Sequence, residues 1–343
     1  MTSWLDPIRK KKGLISKLNP HDAEDPGAPK VRVVFMGTPK LSASLLLSLL
    51  ENGYNIVGVV TKPDKPQGRK QEEAESEVKK IALAHNVPLL QPEKLDGDAV
   101  AALHDWKPDL IFVAAFGKIL PKSVLDIPGF GCINFHTSLL PAWRGASPIQ
   151  NALLAGAKET GVTLILMDEG MDTGDILAQK SVPILENDTR ELLTEKLLVS
   201  GNELLLETLP LWIKRKITPK KQDNSKATLC QLIEREDGHI IWTDEAESIY
   251  NRYRALMPWP GIFTFWKKDD ELLRLKLIRI SYQKQNPQIS HNIGEVFEVG
   301  EKIAVQTGTG LVFLEEVQLE GKNAVSIQDF IRGNALLVGS YLQ

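Results

Sequence analysis

Two stretches of the chain carry residues whose types and spacing suit proton transfer and the stabilisation of a developing oxyanion. The first runs Gly131-Cys132-Ile133-Asn134-Phe135-His136-Thr137-Ser138-Leu139-Leu140-Pro141. Its apolar start reads as a buried strand, and residues two apart on a strand point to the same face. Asn134 and His136 thus present an amide donor and an imidazole side by side at a carboxyl edge. A lone histidine on an apolar strand is more often a satisfied core residue; the asparagine on the same face turns the reading toward a site. The second stretch, Met167-Asp168-Glu169-Gly170-Met171-Asp172-Thr173-Gly174-Asp175, follows another apolar strand and holds four carboxylates and two glycines. Asp and Gly are ordinary turn residues, so a solvated turn is the plain reading. The chemical reading is that one carboxylate folds back onto the imidazole to orient and charge it. Adjacent strand ends in one sheet would permit that.

Other chemistries find no support. Gly37-Thr38-Pro39 lacks the further glycines of a dinucleotide fingerprint, and Pro39 has no N–H to offer a pyrophosphate. A Gly-rich loop ending in Lys-Ser/Thr is missing. His21, His85, His104, His136, His239 and His291 are dispersed, which argues against a histidine-rich metal site. Ser138 and Ser147 lack the strand-to-helix elbow of a hydrolase nucleophile. Cys132 and Cys230 carry no metal-ligand spacing and are expected as reduced thiols. No apolar run approaches the roughly 18 residues that span a bilayer, and residues 1–30 hold no secretory signal.

The elements that must position these residues alternate. Short apolar, mostly β-rich runs at 31–36, 56–60, 110–115, 132–135 and 162–167 are separated by helical patterns at 41–50, 75–85, 99–106 and 148–154. This rhythm predicts an α/β domain with a largely parallel sheet covered on both faces, whose ligands bind beyond the carboxyl ends of the strands. A leucine-rich helix over 192–212 closes it. Beyond the boundary, one helix over 246–256 precedes short alternating runs at 273–280, 294–299, 303–306 and 310–317, which predicts a small antiparallel barrel. The expected division is a flexible extension over 1–30, the α/β domain over 31–213, a basic linker over 214–228 and the barrel over 229–343. The net charge of −3 does not announce nucleic acid, but Lys214, Arg215, Lys216, Lys220, Lys221 and Lys226 cluster against a single Asp223. Such a run is either a solvated linker or a polyanion contact.

From about residue 31 to its end the chain resembles the methionyl-tRNA formyltransferases. The resemblance rests on Phe35-Met36-Gly37-Thr38-Pro39, on Lys62-Pro63-Asp64-Lys65-Pro66-Gln67-Gly68-Arg69, and on Gly131 to Pro141 continued through Trp143-Arg144-Gly145-Ala146-Ser147-Pro148-Ile149-Gln150. Gly170-Met171-Asp172-Thr173-Gly174-Asp175 and Pro258-Trp259-Pro260 complete it. The Asn, His and Asp core is common to the wider formyl-folate transferases. It fixes the chemistry and not the acceptor.

The resemblance implies a Rossmann-like domain followed by an OB-like barrel that helps grip tRNA. It implies 10-formyltetrahydrofolate as donor, the amine of methionyl-initiator tRNA as acceptor, and no metal. Asn134 and His136 would be the oxyanion donors, and Asp172 would hold His136 in the useful tautomer and help move the amine's proton. Ser138, Leu139, Leu140 and Pro141 would contact the folate, with Phe116 and Gly117 lining the pteridine pocket. Arg69, Lys214, Arg215 and Lys216 would contact tRNA. A cytoplasmic monomer is expected, ahead of an organellar location. The rivals are a formyltransferase acting on a sugar-nucleotide amine and a catalytically silent folate- or RNA-binding protein. One departure stands out: where the family loop after Arg69 is basic, this chain reads Lys70-Gln71-Glu72-Glu73-Ala74-Glu75-Ser76-Glu77. Its glutamates are expected to begin a helix and lie away from phosphates.

Overall fold

The computed structural model describes residues 30–67, 72–285 and 291–343. Of the expected extension over 1–30, residues 1–29 lie outside the described residues, as does Arg69. The chain divides into two compact units. The first takes residues up to Pro148, Glu159–Pro183 and Thr194–Cys230; the second takes Ile149–Lys158, Ile184–Leu193 and Gln231–Gln343. The basic run therefore belongs to the first unit.

In chain order the first unit contains β1 (Arg32–Gly37), α1 (Lys40–Glu51), β2 (Asn55–Val60), β3 (Lys65–Gln67), β4 (Glu72–Ala74), α2 (Glu77–Ala84), β5 (Leu89–Leu90), α3 (Gly97–Trp106), β6 (Leu110–Ala114), α4 (Lys122–Leu125) and β7 (Cys132–His136). The helix α5 (Pro148–Leu154), assigned to the second unit from Ile149 on, follows in sequence; the first unit resumes with β8 (Glu159–Leu166), β9 (Asp175–Pro183) and, from Thr194 on, the long α6 (Arg190–Ile213). Seven strands form one sheet in the order β5-β2-β1-β6-β7-β8-β9. Pairing is parallel from β5 through β7 and antiparallel for β7–β8 and β8–β9. The Val-, Ile- and Phe-rich runs are buried on both faces, as central parallel strands must be. Val33, Val34, Phe35 and Met36 of β1 are wholly buried, and Leu45, Leu46 and Leu49 of α1 are buried with them. Gly37 makes the end of β1 possible: a Cβ there would lie 2.6 Å from that of Ser42 and 2.7 Å from the Ala114 carbonyl. The residues 72–74 form a two-stranded hairpin with β3 instead of opening a helix, which starts only at Glu77 with Ser76 as its cap.

The second unit holds α7 (Ala246–Leu256), β10 (Ile262–Lys268), β11 (Glu271–Gln283), β12 (Val296–Val299), β13 (Lys302–Gln306), β14 (Leu311–Leu319), β15 (Val325–Ser326) and α8 (Ile327–Gly333). Its strands run β10-β11-β14-β13-β12 in one curled antiparallel sheet around Trp266, Phe263, Leu275, Leu277, Val305 and Val312. Closure comes from the chain's last residues. Tyr341 bridges to Glu295 and Leu342 to Trp266, so the terminal segment bonds along both the β12 side and β10. Arg254 of α7 is buried, donating to Asn251 Oδ1 at 2.9 Å and to the Leu185 and Asp188 carbonyls at 3.1 and 3.3 Å.

Candidate active site

Asn134 and His136 occupy alternate positions of β7 and lie on one face, as the strand period requires. Asp172 reaches them by a different route from the expected one. Because β8 runs antiparallel to β7, with His136 opposite Thr163 and Ile133 opposite Leu166, the end of β8 lies beside the start of β7. The connection from β8 to β9 must therefore fold back toward the carboxyl end of β7. Asp172 takes a left-handed backbone, φ 54°, in doing so. Two neighbours shape this turn. Asp168 accepts from Thr173 Oγ1 at 2.6 Å and from Gly170 N at 3.0 Å, which makes it a turn residue. At Gly174 a Cβ would fall 1.9 Å from the Leu166 carbonyl, so only glycine permits so close a return.

The result is a compact polar cluster. Asp172 Oδ1 accepts from Asn134 Nδ2 at 3.2 Å and Oδ2 from the Gly145 N–H at 2.8 Å, while Oδ2 stands 3.6 Å from His136 Nδ1. His136 Nε2 lies 2.9 Å from the Trp143 carbonyl, a protein acceptor that the sequence did not foretell. The imidazole is 5% exposed, so its orientation is set by these two neighbours and not by solvent. A ring bracketed by a carbonyl and a carboxylate can hold a proton on each nitrogen when one arrives. Asn134 gives one N–H to Asp172 and retains a second.

The loop after β7 is built by residues that sequence reasoning missed. Thr163 Oγ1 donates to the Ser138 carbonyl at 2.6 Å and accepts from Leu140 N at 3.1 Å. Gln179 of β9 donates to Thr163 Oγ1 at 2.9 Å and to the Leu140 carbonyl at 2.8 Å. The only sequence signal was a threonine inside an apolar run, and β9 itself was unread. A second support comes from residues 217–230. Trp143 N donates to Thr228 Oγ1 and Arg144 N to the Thr228 carbonyl, both at 2.8 Å, and Cys230 N returns a bond to the Arg144 carbonyl at 2.7 Å. Lys220 exchanges both main-chain bonds with Ile176 of β9.

A family model described as formyl transferase matches residues 30–209, and one described as formyl transferase, C-terminal domain, matches 232–335. The chain is 41% identical over 314 residues to the methionyl-tRNA formyltransferase of Citrifermentans bemidjiense, covering 91% of this chain and 96% of that one. It is 43% identical over 314 residues to that of Caldicellulosiruptor saccharolyticus, covering 90% and 99%. The chain belongs to the methionyl-tRNA formyltransferase family. A solved N-formyltransferase of Helicobacter canadensis, in complex with folinic acid and dTDP-3-aminofucose, shares the fold at TM-score 0.62 and 20% identity, covering 83% of this chain and 99% of that one.

Within this formyltransferase frame, the residues expected to meet folate divide into two groups. Ser138 is wholly enclosed, its hydroxyl donating to the Ala142 carbonyl at 2.6 Å, and Phe116 is packed in the core beside Met36, Val113 and Leu120. Leu140 is likewise buried. Leu139 and Pro141 keep partial exposure and Gly117 is exposed. Gly117 adopts φ +67° at the end of β6, where a Cβ would fill the space before Lys62 Nζ at 2.6 Å. Lys214, Arg215 and Lys216 stand exposed just past the carboxyl end of α6, where cations complement the helix dipole. Arg215 also lies over the Phe130 ring at 5.4 Å. Among the described residues no group of three or more His, Cys, Asp or Glu is placed to hold a metal, and no helix is long and apolar enough to cross a membrane.

Proposed function

We propose that this chain transfers the formyl group of 10-formyltetrahydrofolate to the free amine of methionine on initiator tRNA. The observation that carries the reading is the Asp172 carboxylate, anchored by Asn134 and the Gly145 N–H and facing His136 at 3.6 Å. The share of the chain matched by methionyl-tRNA formyltransferases, about nine-tenths of it, supports the choice of acceptor.

Leu139, Pro141 and the open main chain at Gly117 would hold the folate, which supplies an activated formyl carbon when bound. A new C–N bond forms as the neutral amine attacks that carbon, and the bond to the folate nitrogen breaks. Negative charge gathers on the formyl oxygen meanwhile. The second N–H of Asn134 is the donor free to meet it; donors aimed at an oxyanion are usually the largest catalytic contribution. His136 can join only by releasing the Trp143 carbonyl. The proton lost by the amine passes to the His136–Asp172 pair and returns to the folate nitrogen as it leaves. Arg69 and the exposed Lys214 and Lys216 would contact tRNA phosphates, and the barrel would take part through individual cations. A monomer remains the proposed state, and the bacterial relatives suit a cytoplasmic one.

The test is incubation with 10-formyltetrahydrofolate and charged initiator tRNA, with uncharged tRNA and a sugar-nucleotide amine as comparison acceptors. Formylation of the charged tRNA alone is the expected result. Transfer to the sugar amine instead would move the reading to that branch, and no transfer to any acceptor would leave only a binding protein.

A further inference from the structure

We propose that Gln222, within the run that reads in sequence as a solvated linker, is a positioning residue for Asp172. Its side chain uses its full hydrogen-bonding capacity on the active-site loops. Nε2 donates to the carbonyl of Asp172 itself at 2.8 Å and to that of Gly174 at 2.7 Å. Oε1 accepts from Arg144 Nε at 3.1 Å and from a terminal guanidinium nitrogen at 2.8 Å. An amide has two N–H donors and two acceptor lone pairs, and all four are engaged. One side chain thus ties the turn that bears Asp172 to the turn that bears Trp143 and Gly145, the two main-chain partners of His136 and Asp172.

The surroundings hold Gln222 in place. Lys220, two residues earlier, is bridged to Ile176, and Arg144 is also fixed by Asn224 Oδ1 at 2.8 Å. Arg144 is 7% exposed, so this guanidinium is not a surface cation borrowed from solvent. No other common side chain of this length both donates to two carbonyls and accepts from a guanidinium. Glutamate keeps the Arg144 contact but turns oxygen against two carbonyl oxygens. Alanine removes both. Losing the tie lets the Asp172 turn drift relative to His136, and a misplacement of about 1 Å costs on the order of 10²-fold in rate.

The inference rests on the formyl-transfer reading, and its test separates the two. In the full-length protein Gln222→Ala should lower kcat by about 10- to 100-fold, with the KM values for folate and tRNA little changed and a single cooperative melt several degrees below that of the parent. Gln222→Glu should be equally impaired at neutral pH. Its deficit relative to the parent should narrow in part as the pH is lowered, because the protonated carboxyl has one O–H to donate to one of those two carbonyls. Independently of activity, the Gly145 amide, which donates to Asp172 Oδ2, should lose hydrogen-exchange protection in both variants. A Gln222→Ala kcat within about twofold of the parent, or unchanged Gly145 protection, would overturn the proposal. If the parent forms no formylated product, the functional reading fails while the exchange measurement still decides the role of Gln222.

Discussion

Replacing Asp172 by asparagine keeps its shape and removes its charge, and the structure says how much that should cost. Two N–H donors converge on the carboxylate, from Asn134 at 3.2 Å and from Gly145 at 2.8 Å. An asparagine offers one oxygen, so one of the two must face an NH2 group. The loss is one hydrogen bond to a charged group, worth about 1.5–3 kcal/mol, with a donor left facing a donor. A domain stable by about 5–15 kcal/mol survives this. Turnover does not: without the carboxylate, the imidazole has no partner for an arriving proton, and a positioned acid–base group contributes roughly 10²–10⁴-fold. The measurement is single-turnover formylation of charged initiator tRNA at saturating folate, beside a thermal melt. Asp172→Asn should melt as one folded species a few degrees lower, and its rate should fall at least a hundredfold. A folded variant that retains a tenth of the parental rate would refute the assignment of Asp172.

The remaining expectations concern the turn, the cations and the thiols. Gly174→Ala must push its Cβ from 1.9 Å to beyond 3.0 Å from the Leu166 carbonyl, moving the Asp172 turn by about 1 Å and lowering kcat about a hundredfold; near-parental turnover would show that the turn tolerates displacement. Changing Lys214, Lys216 and Lys220 to glutamine, and sparing Arg215 because it packs on Phe130, should flatten the salt dependence of tRNA binding without altering turnover at saturating tRNA. An unchanged slope would exclude phosphate contact by these lysines. Burial pushes the Cys132 thiol up to about 12 and the Cys230 thiol up to about 11, so the folded chain should resist alkylation at pH 8 and react at both cysteines once denatured. Since both folded values lie above the ordinary thiol value, the folded state binds more protons in alkali. Stability should therefore fall as the pH rises past about 9, and a flat unfolding midpoint from pH 9 to 11 would contradict it.

Sequence periodicity located the framework well wherever the residues were apolar and regular. The buried runs of β1, β2, β6, β7 and β8 and the helix α7 fall where their hydrophobic patterns placed them. What it missed was pairing and direction. The strand β9, Asp-Ile-Leu-Ala-Gln-Lys-Ser-Val-Pro, is half exposed at the sheet edge and carries little apolar signal. The antiparallel turn of β8 is a property of the neighbour it meets, which no local pattern encodes. The pair Asn134 and His136 was legible because both sit on one strand. Asp172 was legible only as a carboxylate between glycines; Thr163, Gln179 and Gln222 were not, since each acts through a main-chain carbonyl distant in sequence, and Trp143 was not, since it acts through its own carbonyl and not its side chain.

Charge is open to the same difficulty, because sequence counts charges and the fold pairs them. The acidic stretch after Arg69 stands where the family loop is basic, and its glutamates are expected to lie away from phosphates. Glu75, just before α2, lies 3.0 Å from Lys79, and Glu77, in the first turn of α2, lies 2.7 Å from Lys80. Such exposed pairs contribute little to stability, about 0.2–1 kcal/mol, but each cancels a local negative charge. Asp64 is likewise held below the usual carboxylate range by its hydrogen bonds from Lys79 and Gln91. The barrel presents the opposite case. Its residues 231–343 carry twelve Lys and Arg against sixteen Asp and Glu, a net −4, so it cannot draw tRNA by bulk attraction. Any grip there must come from particular cations clear of carboxylates, and Arg279 is not one: it is already 3.1 Å from Glu315. On the proposed function, the electrostatic share of tRNA binding would then fall on the exposed lysines just past α6. These belong to the same stretch of chain as Gln222, so one segment would both meet the nucleic acid and hold the Asp172 turn in place.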